Sequence, residues 1–103
     1  MAMIVVENHI PVKKEYREQF EKLFASVTRF VQNAPGFVRN EVLRPTNGDE
    51  YIVQTHWESK ETFQKWVGSE DFKKAHSSRA PDEMFSGESR LDIHEVVVST
   101  DKP

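Results

Sequence analysis

The sequence predicts an α+β fold of the ferredoxin-like type, with elements in the order β-α-β-β-α-β. Three observations support this prediction. Apolar residues fill both faces of a strand pattern near the N-terminus, residues 14–33 follow one amphipathic helix pattern, and Asn47-Gly48 marks a hairpin turn between two further strand patterns. Because this fold supports many activities, the activity has to be inferred from individual side chains.

The first predicted strand spans residues 3–10 and is apolar on both faces near its start. We therefore expect the sheet to be covered on both sides. One face carries Ile4, Val6, Asn8 and Ile10, and the other carries Met3, Val5, Glu7 and His9.

The predicted helix at residues 14–33 is the clearest element of the chain. Pro35-Gly36 ends it, and strands are predicted at about 37–44 and 51–57, on either side of the turn. The apolar residues of this helix recur at three- and four-residue spacing: Tyr16, Phe20, Leu23, Phe24, Val27, Phe30 and Val31.

Two short helices are predicted in the second half of the chain. Ser59 caps the first, which carries Trp66 and is closed by Gly68. Ser69 opens the second, which runs to His76. Together they occupy the second α position of the predicted order.

The rest of the chain is predicted to hold a polar loop and one strand. Residues 77–89 are expected to be mobile, and residues 90–98 form the last strand. The tail that ends at residue 103 is expected to fray from about residue 98. No repeat or linker divides the chain, so residues 1–103 are expected to form one domain.

With 37% hydrophobic residues, the core is expected to be modest, and pairing with a second copy would bury more apolar surface.

Composition excludes several classes of protein. The net charge of −3 and the lack of a Lys/Arg run give no footprint for nucleic acid. The absence of cysteine excludes disulfides and thiolate chemistry. No apolar stretch is long enough for a membrane span, and the cytoplasm is the expected location.

Three side chains could carry chemistry. Asn8 places an amide on an apolar strand face, where leaving it unpaired would cost roughly 1–3 kcal/mol; alternatively it bonds to neighbouring backbone. His76 offers an imidazole, a common heme ligand and acid–base group, beside Phe72; alternatively it is an ordinary exposed histidine. Trp66 is either a core residue beside Phe63 or the wall of a ligand cleft.

Other site chemistry has little support in the sequence. His9, His56 and His94 lie in strand patterns without a familiar metal spacing, and no HExxH motif is present. With four glycines and no glycine-rich phosphate loop, the chain does not support flavin or nicotinamide binding. No Ser-His-Asp set or carboxylate pair stands out as a hydrolytic site.

Asn8, Trp66 and His76 also lie where the chain is similar to a known family. Over about residues 3–98 it resembles the Isd-type heme-degrading monooxygenases of the antibiotic biosynthesis monooxygenase superfamily. The pattern combines the strand Asn with an aromatic residue, a Trp three positions later and an F-x-x-A-H ending ten residues beyond it. The matching segments are Glu7-Asn8, Phe63-Gln64-Lys65-Trp66 and Ser69-Glu70-Asp71-Phe72-Lys73-Lys74-Ala75-His76.

The resemblance implies a dimeric α+β barrel that binds heme as both substrate and cofactor. It implies that His76 is the axial ligand of the heme iron, that Asn8 hydrogen-bonds toward iron-bound oxygen and that Trp66 presses on the porphyrin. Dioxygen, an external electron donor and an unidentified reductase would be required, and iron would be released.

The cleft implied by this resemblance would be apolar, as a porphyrin requires, with Leu23, Phe24 and Phe72 as candidate walls. Arg79 is a candidate partner for the propionates. Two alternatives stay open: a heme carrier or sensor without turnover, and a cofactor-free monooxygenase that acts on a quinol-like aromatic. A purely structural dimer module is less favoured than either.

Overall fold

The computed structural model describes residues 2–76 and 80–103 and confirms the predicted element order. The second helical position is divided into two short helices. The elements are β1 (Ile4–Pro11), α1 (Arg17–Val27), β2 (Phe37–Leu43), β3 (Glu50–Trp57), α2 (Lys60–Val67), α3 (Glu70–Ala75) and β4 (Arg90–Glu95). No helix in the described part of the chain is long and apolar enough to cross a membrane.

The four strands form one antiparallel sheet in the order β2-β3-β1-β4. The first strand is therefore central, paired with β3 on one side and with β4 on the other. Asn8 lies opposite Val53 of β3 and Leu91 of β4, near the middle of the sheet. This register places the residue at the centre of the sheet rather than at a strand end.

The first helix is shorter than the sequence pattern predicts. Its α-helical part spans Arg17–Val27, and single 3₁₀ turns flank it at Lys14–Tyr16 and Thr28–Phe30. The Thr28 hydroxyl donates to the Ala25 carbonyl oxygen at 3.2 Å, which competes with the regular backbone ladder. The apolar stripe therefore continues past the point where the α-helix ends.

The buried apolar side chains of the described residues form two clusters, which lie on the helix-covered side of the sheet. The first contains Ile4, Val6, Val31, Trp57, Trp66 and Ala75. The second contains Ile10, Val12, Phe20, Tyr51 and Met84.

An ion-pair network fastens α1 to the hairpin of β2 and β3. The Arg44 Nε and Nη2 atoms donate to the two carboxylate oxygens of Glu21 at 2.7 and 2.6 Å, and the Tyr51 hydroxyl also donates to Glu21. The hydrogen bonds from Arg44 and Tyr51 hold the pKa of Glu21 at about 2, well below its ordinary value of 4.5. The bidentate geometry fixes both the distance and the orientation of the helix.

The segment after α3 is packed, so the prediction of a mobile loop is wrong for residues 80–86. Met84 is fully buried, and its carbonyl oxygen accepts from the Lys13 amide at 2.9 Å. Phe85 forms a bridge with Val12, and the Ser86 amide donates to the Pro11 carbonyl oxygen. Two apolar residues in a polar stretch are enough to anchor it. Residues 77–79 lie outside the described part of the chain.

The last strand ends at Glu95, three residues before the predicted end, because its partner β1 begins at Ile4. The Val96 amide still donates to the Met3 carbonyl oxygen at 2.8 Å. Beyond it, Val97 and Val98 are 89% and 80% exposed. The C-terminal tail therefore presents apolar side chains that this chain does not cover.

The described helices cover only one face of the sheet. On the opposite face, Val5 and Ile52 are half-buried and Leu43 is exposed, whereas on the helix side Ile4 and Val6 are buried. The expectation of a sheet covered on both sides is therefore not met within one chain.

Gly36 fixes the approach of α2 to the sheet. Its φ of +83° is in the left-handed region, and a Cβ built there would overlap the side chain of Thr62 in the first turn of α2. The Gly36 carbonyl oxygen also accepts from the Glu58 amide at 2.8 Å. The helix that carries Trp66 can therefore lie this close only because residue 36 has no side chain.

Gly36→Ala should destabilise the protein more than Gly48→Ala. Gly48 also has a positive φ, +82°, but open space surrounds its missing Cβ. Both variants bear about 1–2 kcal/mol of left-handed backbone cost, and only Gly36→Ala adds a steric cost of roughly 1–3 kcal/mol. Urea unfolding of both variants measures the difference. Equal losses would mean that the contact with Thr62 does not constrain the helix.

Candidate active site

A cleft of about 590 Å³ opens between the sheet and the three helices. Its walls are mostly apolar, and its few polar groups come from separate elements, as is usual for small-molecule sites. The apolar lining includes Val6, Phe24, Val27, Val31, Val53, Trp66, Phe72 and Leu91, and the polar lining includes Asn8, Thr28, Asn40, Thr55 and His76.

His76 stands at the C-terminal end of α3 with its ring exposed at the cleft. Its Nδ1 lies 2.9 Å from the Phe72 carbonyl oxygen, and its ring packs on the Phe72 ring with centroids 4.0 Å apart. Because a carbonyl oxygen can only accept, Nδ1 carries the proton in this contact. In the neutral ring Nε2 then keeps its lone pair, which is the arrangement that metal-ligating histidines use.

Ser69 sets the relative position of the helices that carry Trp66 and His76. Its hydroxyl accepts from the Phe72 amide at 3.1 Å, which caps α3, and donates to the Trp66 carbonyl oxygen at 2.6 Å, at the end of α2. One side chain thus ends one helix and begins the next.

Trp66 is both a core residue and a wall of the cleft. It is 9% exposed, its ring centroid lies 6.3 Å from that of Trp57, and it makes an edge contact with Phe72 at 5.7 Å. The capping box between Ser59 and Thr62 starts the helix that holds it. The two interpretations of Trp66 offered by the sequence are therefore compatible.

The Asn8 side chain lines the cleft and is half-buried. Within residues 2–76 and 80–103, no side-chain or backbone group hydrogen-bonds to its amide. A bond to neighbouring backbone, the simpler interpretation of the sequence, is therefore not formed in this part of the chain. The amide is available to a ligand.

The structure brings together five of the six predicted site residues. Phe24, Phe72, Asn8, Trp66 and His76 all line the cleft, but Leu23 does not. The stripe that faces the sheet is centred on Phe20, Phe24 and Val27, and Leu23 lies on its flank. The prediction that Leu23 forms a wall of the cleft is therefore wrong. The predicted propionate partner, Arg79, lies outside the described residues.

Sequence reasoning missed Asn40 of β2. It lines the cleft, and its Oδ1 atom is buried without a hydrogen-bond partner in the described structure. The sequence does contain a signal for this residue, because Asn40 interrupts an apolar strand face as Asn8 does. In the sheet it pairs with Thr55 of β3. The cleft thus contains two amides on the sheet side and one imidazole on the helix side.

The chain belongs to the antibiotic biosynthesis monooxygenase family, whose family model matches residues 3–78. That span contains all four elements that place Asn8, Trp66 and His76: the first strand, α2, the Ser69 junction and α3. The resemblance found in the sequence is thereby confirmed.

Within this family, the chain is similar to two heme oxygenases and to one solved structure of a heme degrader. The chain is 37% identical over 95 residues to a mycobilin-producing heme oxygenase of Mycobacterium tuberculosis, covering 91% of this chain and 90% of the relative. It is 35% identical over 101 residues to a staphylobilin-producing heme oxygenase of Staphylococcus haemolyticus, covering 95% and 94%. The structure of MhuD, a heme degrader from Mycobacterium tuberculosis with two hemes in its active site, superimposes with a TM-score of 0.78 at 34% identity, covering 95% and 99%.

Trp66→Ala should lower the free energy of unfolding by roughly 3–5 kcal/mol even without a ligand, because the indole is packed against Trp57. Val67→Ala is the matched control, since Val67 lines the same cleft on the same helix but is 41% exposed. That control should lose less than about 1 kcal/mol. Chemical denaturation measures both, and a loss at Trp66 as small as that at Val67 would refute the packed position.

Proposed function

We propose that the chain is a heme-degrading monooxygenase that binds heme in the cleft as both substrate and cofactor. The observation that carries the proposal is His76, whose Nδ1 is tethered to the Phe72 carbonyl and whose Nε2 is left free at an apolar cleft. The relatives that cover nearly the whole chain are heme oxygenases, which supports the same function.

The residues present fit a porphyrin. A flat apolar ring system needs apolar walls, which Phe24, Phe72 and Trp66 provide, and its iron needs a ligand with a free lone pair, which His76 provides. The unpartnered amide of Asn8 lies on the opposite, sheet side of the cleft. Heme, when bound, would supply the site at which dioxygen is activated by electrons from an external donor, with an unidentified reductase as the natural source.

Each protein group then has one task. His76 would hold the iron, and its tether to Phe72 would fix the ring orientation. The Asn8 amide would donate a hydrogen bond to dioxygen. Its position on the central strand is fixed by pairing with β3 and β4. Trp66, supported from behind by Trp57, would press on the porphyrin and favour a distorted ring. The products would be an opened tetrapyrrole and free iron, and the cytoplasmic location stays a prediction.

His76→Ala should shift the Soret band of the heme complex and abolish pigment formation, because it removes the proposed iron ligand while leaving the apolar walls. His56→Ala is the control, since His56 lies on β3 and does not line the cleft. The measurement is heme titration, then aerobic incubation with ascorbate and mass spectrometry of the pigment. Heme binding without degradation by the unmodified protein would indicate a carrier or sensor, and no Soret shift would indicate a cofactor-free monooxygenase.

Asn8→Ala should keep the fold and heme binding but lose most of the degradation rate. Removal of one preorganised donor generally costs about 3–4 kcal/mol of transition-state stabilisation, or roughly 10²–10³-fold in rate. Asn33→Ala, an exposed amide outside the cleft, should retain the full rate. Loss of soluble Asn8→Ala protein, with a normal rate in the folded remainder, would make Asn8 a structural residue.

We also propose that the chain is a homodimer that pairs through the face of the sheet opposite the helices. That face leaves Val5, Leu43 and Ile52 incompletely covered, and the tail that follows β4 exposes Val97 and Val98. A second copy with the same face would complete the two-sided coverage that the first strand predicts.

Sedimentation equilibrium at micromolar concentration should give twice the chain mass of 12.0 kDa. Ile52→Lys should shift the equilibrium toward monomer, because it introduces a charge into the proposed interface. Phe30→Lys is the control, since Phe30 is exposed beside the helices, and it should remain dimeric. A stable single-chain mass for the unmodified protein would contradict the pairing.

A further inference from the structure

A second cluster of polar side chains lies on the sheet face opposite the cleft. Glu7 and His9 project from β1, and Asp92 projects from the directly paired position on β4. One atom from each of these three residues, two carboxylate oxygens and one imidazole nitrogen, lies within 4.8 Å of the others. The proposed heme chemistry uses none of them.

His9 is buried and oriented by a carboxylate. It is 9% exposed, and its Nδ1 lies 2.8 Å from Glu50 Oε1 at the start of β3. Because the carboxylate can only accept, Nδ1 carries a proton, and Nε2 is the nitrogen directed at Glu7 and Asp92. This Nε2 atom is fully buried and has no hydrogen-bond partner among the described residues.

The distances around Nε2 are too long for hydrogen bonds and suit a shared ion. Nε2 lies 3.6 Å from Glu7 Oε1 and 3.4 Å from Asp92 Oδ2. A protonated nitrogen would approach a carboxylate to about 2.7–2.9 Å. Ligand atoms bound tetrahedrally to one metal at about 2.0–2.2 Å are separated by roughly 3.3–3.6 Å.

The surrounding charges leave room for a cation. Asp92 Oδ2 also accepts from Arg90 Nε at 3.1 Å, which orients the carboxylate and leaves its remaining lone pair for a metal. Glu7 Oε1 has the exposed His94 Nδ1 at 3.7 Å on its other side. Among the described residues, the carboxylates of Glu7, Glu50 and Asp92 thus surround one buried imidazole, and Arg90 contacts Asp92.

We propose that Glu7, His9 and Asp92 bind a divalent transition-metal ion such as Zn²⁺, with Glu50 as the outer carboxylate that orients His9. One nitrogen and two oxygens suit the borderline ions that bind imidazole and carboxylate together. Water or His94 completes the coordination. If a second copy covers this face, the ion offsets the cost of removing the carboxylates from water.

Calorimetric titration of Zn²⁺ into the chelator-treated full chain should show one ion bound per chain. Glu7→Gln and Asp92→Asn should each weaken binding at least tenfold, and Glu50→Gln should weaken it about 10–100-fold, as loss of an outer carboxylate does. Glu41→Gln is the matched control, because Glu41 pairs with Arg39 on the same sheet face two strands away. It should bind Zn²⁺ like the unmodified chain.

A further variant excludes the cleft as the source of the signal. His76→Ala removes the exposed imidazole of the proposed heme site and should leave Zn²⁺ binding unchanged. Circular dichroism of each carboxylate variant establishes that it is folded. Absence of Zn²⁺ binding by the unmodified chain would overturn the proposal. The proposal would also be overturned if the folded Glu7→Gln and Asp92→Asn variants bound Zn²⁺ as tightly as the unmodified chain.

Discussion

The packing around Trp57 is the constraint on which the cleft depends. This last residue of β3 is fully buried and contacts three aromatic rings, those of Phe37 on β2 and of Phe63 and Trp66 on α2. It therefore fixes the height of α2 above the sheet. Since the Ser69 hydroxyl joins the end of α2 to the start of α3, the position of His76 also depends on the packing of α2 against Trp57.

The polar groups on the two sides of the cleft are held in different ways. Asn8 lies on the central strand and is held by neighbours on both sides. His76 ends a helix of six residues, and its ring is fixed by one hydrogen bond and one stacked ring. The cleft therefore has an amide from a central strand on its sheet side and an imidazole from the end of a short helix on its helix side.

The order of the elements and the residues of the cleft were predictable because periodicity, turns and caps are local signals. Asn8, Trp66 and His76 were found through a spaced pattern, and the structure places all three in one cleft. The errors concern side chains whose surroundings come from distant segments. Met84 is buried because Val12 and Lys13 lie against it, and Asn40 lines the cleft because the pairing of β2 with β3 places it opposite Thr55. Periodicity assigned Leu23 to the apolar stripe of α1, but it could not show that this residue lies at the edge of the stripe, away from the cleft.

The clamp of Arg44 and Tyr51 on Glu21 gives the cleft a tolerance to acid. Because the pKa of Glu21 is lowered to about 2, its stabilising effect is complete above the ordinary value of 4.5 and is lost only as the pH falls toward 2. The ion pair therefore keeps α1, and with it the cleft wall formed by Phe24, in place throughout mildly acidic conditions. Experiments on the cleft can then be run in mildly acidic buffer without losing this wall.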